Sequence, residues 1–270
     1  MTTLWPIMLI TFKEGIRNRA IYAISLVALM MLVANFLICG MIMQEVGKVA
    51  VDIALSAVSI SGLLLVLFVG INLMAKDLDK RTIYMVLSRP ISRPQYIVGK
   101  FFGMVLLIVT TTFFLSVFAV LSIFMIKLSY PHYFLRFSWP LVLLALSFIT
   151  LSLILLSALS FLFASFTSSS FITLVLTMIA YIIGHSISDV YSLIQASQFA
   201  DIRPAMFIVK LIQTAYYLFP NLSFFDIKMQ AAHAIPLTPS YIFWTLLYGL
   251  VYSSLAIAGA AMLFRRRELP

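Results

Sequence analysis

The chain has few charged residues, and their scarcity excludes a soluble globular protein. Asp, Glu, Lys and Arg make up 10% of its 270 residues, whereas 63% are hydrophobic and the mean hydropathy is +1.10. An ordinary soluble domain contains about 25% charged residues. The composition therefore predicts an integral membrane protein.

Other scarce residues narrow the chemistry that the chain can perform. The single cysteine, Cys39, cannot form an internal disulfide, and only three histidines are present. The long uncharged stretches contain no Asp or Glu, which argues against a proton-driven or sodium-driven transporter and against a membrane hydrolase. Two Gly-Lys pairs, at 47–48 and 99–100, lack the other residues of a phosphate-binding loop. We expect no catalytic site, no metal and no cofactor in this chain.

Six stretches are long and apolar enough to cross a bilayer, which requires about 20 residues of helix. The polar run at 165–170 divides one stretch that is too long for a single crossing. The pattern predicts an all-α integral membrane protein with a single transmembrane domain over 1–270. The six predicted spans are 20–43, 53–75, 101–126, 137–165, 170–188 and 241–264.

The basic residues predict that both termini lie in the cytoplasm, because cytoplasmic loops are enriched in Lys and Arg. This orientation places twelve Lys and Arg residues inside and six outside. It also explains the formal net charge of +9 as a topology signal and an attraction to anionic membrane lipids. We expect no nucleic-acid partner.

The N-terminal segment 3–18 has apolar residues at helical spacing, with charged residues on another face. This pattern is typical of an amphipathic helix that lies in the membrane interface. The residues predicted to lie at the interface are aromatic or basic and occur at both ends of the chain: Trp5, Phe12, Lys13, Arg17, Arg19, Arg265, Arg266 and Arg267.

The loop at 76–100 concentrates charge between the second and third predicted spans. Asp79 or Thr82 can cap a short helix, and Pro90 disfavours helical conformation in the residue before it. The short helix should therefore lie in the cytoplasm and end before Pro90.

A second helix is predicted to begin directly after this point. Ser92 and Gln95 have the spacing of a capping box, and Pro94 is tolerated in the first helical turn. The new helix should continue into the third span and form an elbow with the short helix. Such an elbow could transmit a push from a soluble partner, although an ordinary positively charged cytoplasmic loop is the alternative.

This region resembles the loop between the second and third spans in permease subunits of type-2 ATP-binding-cassette (ABC) exporters. The resemblance rests on Asp79-Lys80-Arg81-Thr82-Ile83-Tyr84, Leu87-Ser88-Arg89-Pro90-Ile91-Ser92-Arg93 and Gly99-Lys100. Arg81 stands where Gly is common in the family, and Asp79 replaces the more usual Glu. The six-span layout extends the resemblance to essentially the whole chain.

Within that family, the chain most resembles the branch that contains the permease of the nitrous-oxide-reductase maturation system. Three further stretches also recur there: Pro220-Asn221-Leu222-Ser223, Phe225-Asp226 and Phe264-Arg265-Arg266-Arg267-Glu268.

The resemblance implies a permease of the cell inner membrane that works by alternating access. Its implied partners are two cytoplasmic ATPase subunits, which would bind ATP and Mg²⁺, and a second permease copy or close relative. An extracytoplasmic accessory protein is a further partner that the resemblance allows. The alternatives are a structural or scaffold subunit without transport and a channel-like or electron-transfer membrane subunit. The residues implied in coupling to the ATPase are Asp79, Lys80, Arg81, Thr82, Leu87, Ser88, Pro90, Ser92, Arg93 and Lys100.

The segment at 189–240 is predicted to lie outside and to form short outer helices before the last span. A seventh crossing at 204–219 is the competing interpretation, but it would place Lys210 in mid-span at a cost of a few kcal/mol.

Four polar residues are candidates for a substrate pathway or a dimer contact. Asn35 and Asn72 lie within the first two spans, where they could also join helices by hydrogen bonds. His185 and Asp189 lie one helical turn apart and could share a proton or a metal, or form a simple hydrogen bond.

Overall fold

The structure is a computed structural model, and all regular structure in its described residues is helical. It describes residues 4–41, 45–73, 92–135, 137–167, 169–195, 209–210, 212, 214–216 and 219–266. The principal helices are α1 (Leu4–Ile16), α2 (Arg19–Met41), α3 (Val46–Leu64), α4 (Arg93–Ser129), α5 (Trp139–Phe166), α6 (Ser170–Gln195), α7 (Lys228–Ala232) and α8 (Pro239–Arg266). The predicted all-α class is confirmed.

Six of these helices are long and apolar enough to cross a membrane, which confirms the predicted number of spans. They are α2, α3, α4, α5, α6 and α8. Span 2 continues from α3 through a wider π-helical stretch, Leu65–Gly70, to Leu73. It begins at Val46, earlier than predicted, because Lys48 and Asp52 lie inside the helix and do not interrupt it.

The spans alternate in direction, so the bundle has two distinguishable ends. We call the end with Leu73, Arg93 and Phe166 the base, and the end with Glu45 and Ala232 the top. Spans 2 and 4 are the most enclosed, whereas spans 1, 3, 5 and 6 expose most of their apolar surface. This exposed surface is consistent with a lipid environment, because lipid tails solvate apolar side chains.

The helix α4 is longer than one crossing requires. Its 37 residues extend over about 55 Å, whereas the hydrocarbon core is about 30 Å thick. The surplus leaves room for the first turns of α4 to stand outside the hydrocarbon at the base.

The N-terminal helix α1 packs along this first part of α4. Its buried residues are Ile7, Thr11 and Gly15, each one turn after the previous one. The predicted apolar face points elsewhere, since Trp5 is exposed and Phe12 is only partly buried. The contact with α4 therefore uses a different stripe from the apolar face that is predicted to lie in the membrane interface.

Two short helices precede span 6, as predicted. A 3₁₀ turn at Leu222–Phe225 and α7 lie at the top of the bundle. Leu222 and Phe225 are fully buried, and Phe225 packs edge-on against Phe148 of α5 with ring centres 6.3 Å apart. This turn therefore packs against spans 4, 5 and 6 at the top of the bundle. The stretch 204–219 was interpreted above as either an outer helix or a seventh crossing. Most of its residues lie outside the described ones.

Candidate functional site at the base of α4

The start of α4 is fixed by the predicted capping box. The Ser92 side chain accepts a hydrogen bond from the Gln95 backbone N–H, and the Ser92 N–H donates to Gln95 Oε1 at 3.1 Å. Pro94 occupies the first turn, where its missing N–H costs nothing. The box satisfies helix donors that would otherwise lack partners, so the capping prediction is confirmed.

The next turns of α4 contact two other spans through aromatic rings. Tyr96, which is buried, stacks on Phe264 near the carboxyl end of span 6, with ring centres 6.4 Å apart. Phe101 meets Phe161 of span 4 edge-on at 5.8 Å. Ring pairs at these separations are favourable beyond the area that they bury. The base of α4 is therefore anchored to spans 4 and 6.

Lys100 connects the same region to span 2. Its ammonium group donates a hydrogen bond to the carbonyl oxygen of Leu73 and lies 5.4 Å from the centre of the Tyr96 ring. The residue is only 5% exposed. It lies inside the protein, where it contacts both Leu73 and Tyr96.

Small residues bring α1 into close contact with α4. A Cβ atom on Gly99 would lie 2.9 Å from Ile7, and one on Gly103 would lie 2.6 Å from Thr11 and 2.8 Å from the Met8 carbonyl oxygen. Gly99 and Gly103 form a Gly-x-x-x-Gly pattern, the spacing that permits close approach of two helices. The pattern was available in the sequence as a signal for this contact.

The two helices run in the same direction. Ile7 meets Gly99, Thr11 meets Gly103 and Gly15 meets Leu107, so each step of four residues along α1 matches four along α4. Together these contacts join the base of α4 to α1 and to spans 2, 4 and 6. We call residues 92–103 the coupling base.

Most of the predicted coupling residues lie outside the described residues. These are Asp79, Lys80, Arg81, Thr82, Leu87, Ser88 and Pro90. Ser92, Arg93 and Lys100 are described, and all three belong to the coupling base.

A cavity of about 770 Å³ opens at the base beside α1. The predicted interface residues Lys13 and Arg17 line it, together with Asn72 and Leu73 of span 2. Asn72 bonds to the carbonyl of Phe68 in its own helix. Among the predicted pathway residues, Asn72 is the one that lines this cavity at the base.

The other interface residues occupy both ends of the described chain. Arg19 begins α2 and is exposed, and Arg265 is exposed near the end of α8. Arg266 belongs to the same helix, and Arg267 lies outside the described residues.

Asn35 is enclosed within the protein and joins two spans. It is 0% exposed, and its Nδ2 donates to the Ala50 carbonyl of span 2 at 3.0 Å. Cys39, one turn later, contacts Asn35 Oδ1. The position favours the interhelical hydrogen bond over a pathway or dimer contact.

The other two pathway candidates meet at the top. His185 and Asp189 line a cavity of about 690 Å³ between α3, α6 and the residues 223–233 before span 6. The His185 Nδ1 lies 3.3 Å from the Tyr181 carbonyl, and the two rings are 4.4 Å apart. Within the described part of the chain, no group of three or more His, Cys, Asp and Glu side chains is placed to hold a metal ion.

Further charged residues line this cavity, although nothing in the local sequence pattern singles them out. Asp52 comes from span 2, and Asp226 pairs with Lys228 at 3.4 Å. Lys48 pairs with Glu45 and, by hydrogen bonding, holds the pKa of that carboxyl below its ordinary value. These residues are distant in sequence, so only the fold brings them together.

A smaller cavity of about 20 Å³ shares His185 and Asp226 with the larger one. It reaches Ser59 of span 2 and Ser152 of span 4. Polar groups thus extend from the top into the bundle between spans 2, 4 and 5. A volume of this size is about enough for one water molecule.

The six long apolar helices define a multi-pass membrane protein. A family model described as ABC-2 family transporter protein matches residues 5–269. The chain therefore belongs to the ABC-2 family of transporter proteins and is the membrane permease of an ABC transporter, with the ATPase in a partner. No curated protein is similar enough to this chain to serve as a relative for comparison.

Proposed function

We propose that the chain is the permease of an ABC exporter in the cytoplasmic membrane, with both termini in the cytoplasm. A second permease copy or close relative would complete the membrane unit. Two cytoplasmic ATPase subunits, which bind ATP and Mg²⁺, would drive it between inward-facing and outward-facing states. The sequence at 220–226 and 264–268 further supports the nitrous-oxide-reductase maturation branch.

The observation that carries this proposal is the set of contacts at the coupling base. The segment that resembles an ATPase-docking elbow leads directly into residues 92–103, and these contact α1 and three spans. A displacement of the base can therefore reach several spans at once. A passive loop would not require contacts with several spans.

The cavity at the top fits the outer end of such a pathway. Its polar and charged lining could admit water when the permease opens outward, and the buried turn with Leu222 and Phe225 could close it otherwise. In this account, His185 and Asp189 line the exit, whereas Asn35 holds spans 1 and 2 together.

Co-purification tests the ATPase partnership directly. Tagged permease isolated in mild detergent from its native host should carry an ABC ATPase, identified by mass spectrometry. A purification that retains other membrane partners but no ATPase would favour the scaffold alternative and refute the exporter proposal.

Accessibility labelling tests the orientation. Single cysteines replacing Ser92 and His233, both exposed and at opposite ends of the bundle, should react from opposite sides of the membrane in a Cys39→Ala background. We expect Ser92→Cys to react only from the cytoplasm. Reaction of both from the same side would contradict the topology.

A further inference from the structure

Lys100 is an ammonium group enclosed by protein at the meeting point of three spans. A buried charge is costly unless nearby groups compensate it. Here the Leu73 carbonyl accepts a hydrogen bond, and the face of the Tyr96 ring lies 5.4 Å away. Both present negative potential to the cation, because carbonyl oxygens and aromatic ring faces carry partial negative charge.

Because of the position of Leu73, this contact holds two consecutive spans together. Leu73 is the last described residue of span 2, and the described chain resumes at Ser92, where the coupling base begins. The Lys100–Leu73 hydrogen bond therefore joins span 2, which precedes this connection, directly to α4, which follows it.

Tyr96 extends the contact to a third span. It lies under the Lys100 ammonium and stacks on Phe264 of span 6, with an angle of 25° between the ring planes. Phe264 and Tyr96 are both almost completely buried. A rigid aromatic pair of this kind transmits displacement because its rings have little room to move.

We propose that Lys100 is a positioning residue that locks span 2, at Leu73, to the base of α4 and, through Tyr96, to Phe264 of span 6. The three spans then move as one unit when the ATPase displaces the connection between spans 2 and 3. The source of movement rests on the proposed function, but the lock itself is a property of the folded permease.

The lock is tested first in the isolated permease. Spin labels at Asn72 and Phe102, both exposed, report the separation of span 2 from α4 in a Cys39→Ala background. We expect a narrow distance distribution in the parent and in Lys100→Arg, which keeps a cationic donor. Lys100→Met, which removes the donor at similar length, should broaden the distribution. An unchanged width in Lys100→Met, in protein that remains folded, would overturn the proposal.

Lys127 offers a matched control on the same helix. Its ammonium group also lies over aromatic rings, 5.0 Å from the centre of Phe137 and 5.7 Å from that of Trp139, but near the top end of α4. Lys127→Met should leave the distance distribution between residues 72 and 102 unchanged. Equal broadening in both variants would indicate general loosening of α4 and would also overturn the lock.

The complex with its ATPase tests the effect on coupling. In Lys100→Met, the permease-dependent ATPase rate should fall by at least about tenfold, the factor expected from losing one hydrogen bond to a charged group. The amount of bound ATPase should remain unchanged, and Lys100→Arg should restore the rate. A normal rate in Lys100→Met would overturn the coupling role. If the parent permease binds no ATPase, the proposed function fails, and the spin-label measurement still decides on the lock.

Discussion

Replacement of Gly103 by Ala should weaken the attachment of α1 to the coupling base. A Cβ atom at this position would lie 2.6 Å from the Thr11 Cβ and 2.8 Å from the Met8 carbonyl oxygen. Neither atom is the end of a flexible side chain, so the helices themselves must separate. The required shift is roughly 0.8 Å, the gap between 2.6 Å and ordinary contact at 3.4 Å.

The cost follows from overpacking a close helix contact, which typically amounts to about 1–3 kcal/mol. Gly40→Ala is the matched control, because the nearest atom to its added Cβ is the Tyr130 hydroxyl oxygen at 3.7 Å. Both substitutions occur in helices and gain similar helical propensity, about 0.5–1 kcal/mol. The difference between the two variants therefore isolates the steric term.

The assay is reversible unfolding in mixed micelles, with limited proteolysis near the N-terminus as a local probe of α1. We expect Gly103→Ala to be less stable than Gly40→Ala by about 1–3 kcal/mol and to be cleaved faster within α1. Equal stability together with equal cleavage rates would refute the close α1–α4 contact.

Two further substitutions test other parts of the fold. Asn35→Ala should lower the unfolding free energy by about 0.6–1.7 kcal/mol, because it removes the hydrogen bond to Ala50. Asn72→Ala is the control and should cost less, since Asn72 is exposed and bonds within its own helix. Equal losses in the two variants would contradict the interhelical role of Asn35. Phe225→Ala should lower the unfolding free energy by about 3–5 kcal/mol in the same assay, because a fully buried ring is lost at the top. Phe224 is partly exposed, so Phe224→Ala should cost clearly less. The reverse order would contradict the burial of this turn.

The class of protein and the number of spans could be predicted because the bilayer imposes a length and a composition on every crossing. The start of α4 was also predictable, since a capping box depends on residues within one turn. Ser92, Pro94 and Gln95 carry that information locally, and the structure has the same cap.

The packing of α1 could not be predicted from hydrophobicity. In a membrane protein, apolar side chains such as Trp5 can face lipid, so an apolar stripe does not identify the protein-facing side. Helix contact depends instead on small residues that allow close approach, here Gly99 and Gly103 of α4. Most of that signal lies on the partner helix, and α1 itself contributes Gly15.

The cavity at the top could be predicted only in part. His185 and Asp189 are one turn apart and could be recognised together, but Asp52 and Asp226 come from other parts of the chain. The base shows the same limit, because the Lys100–Leu73 contact joins residues 27 positions apart. Contacts of this kind follow from how spans are arranged, and a local pattern does not contain that arrangement.

The central claim is that the ATPase docks at the base of the bundle, beside the start of the coupling base at Ser92, and site-specific photo-crosslinking tests it most directly. A photoreactive amino acid in place of Ser92, which is exposed at the base, should form a covalent product with the ABC ATPase in native membranes. The same amino acid in place of His233, exposed at the top, should form none. A product from His233, or the absence of any ATPase product from Ser92 in a complex that retains the ATPase, would contradict the account.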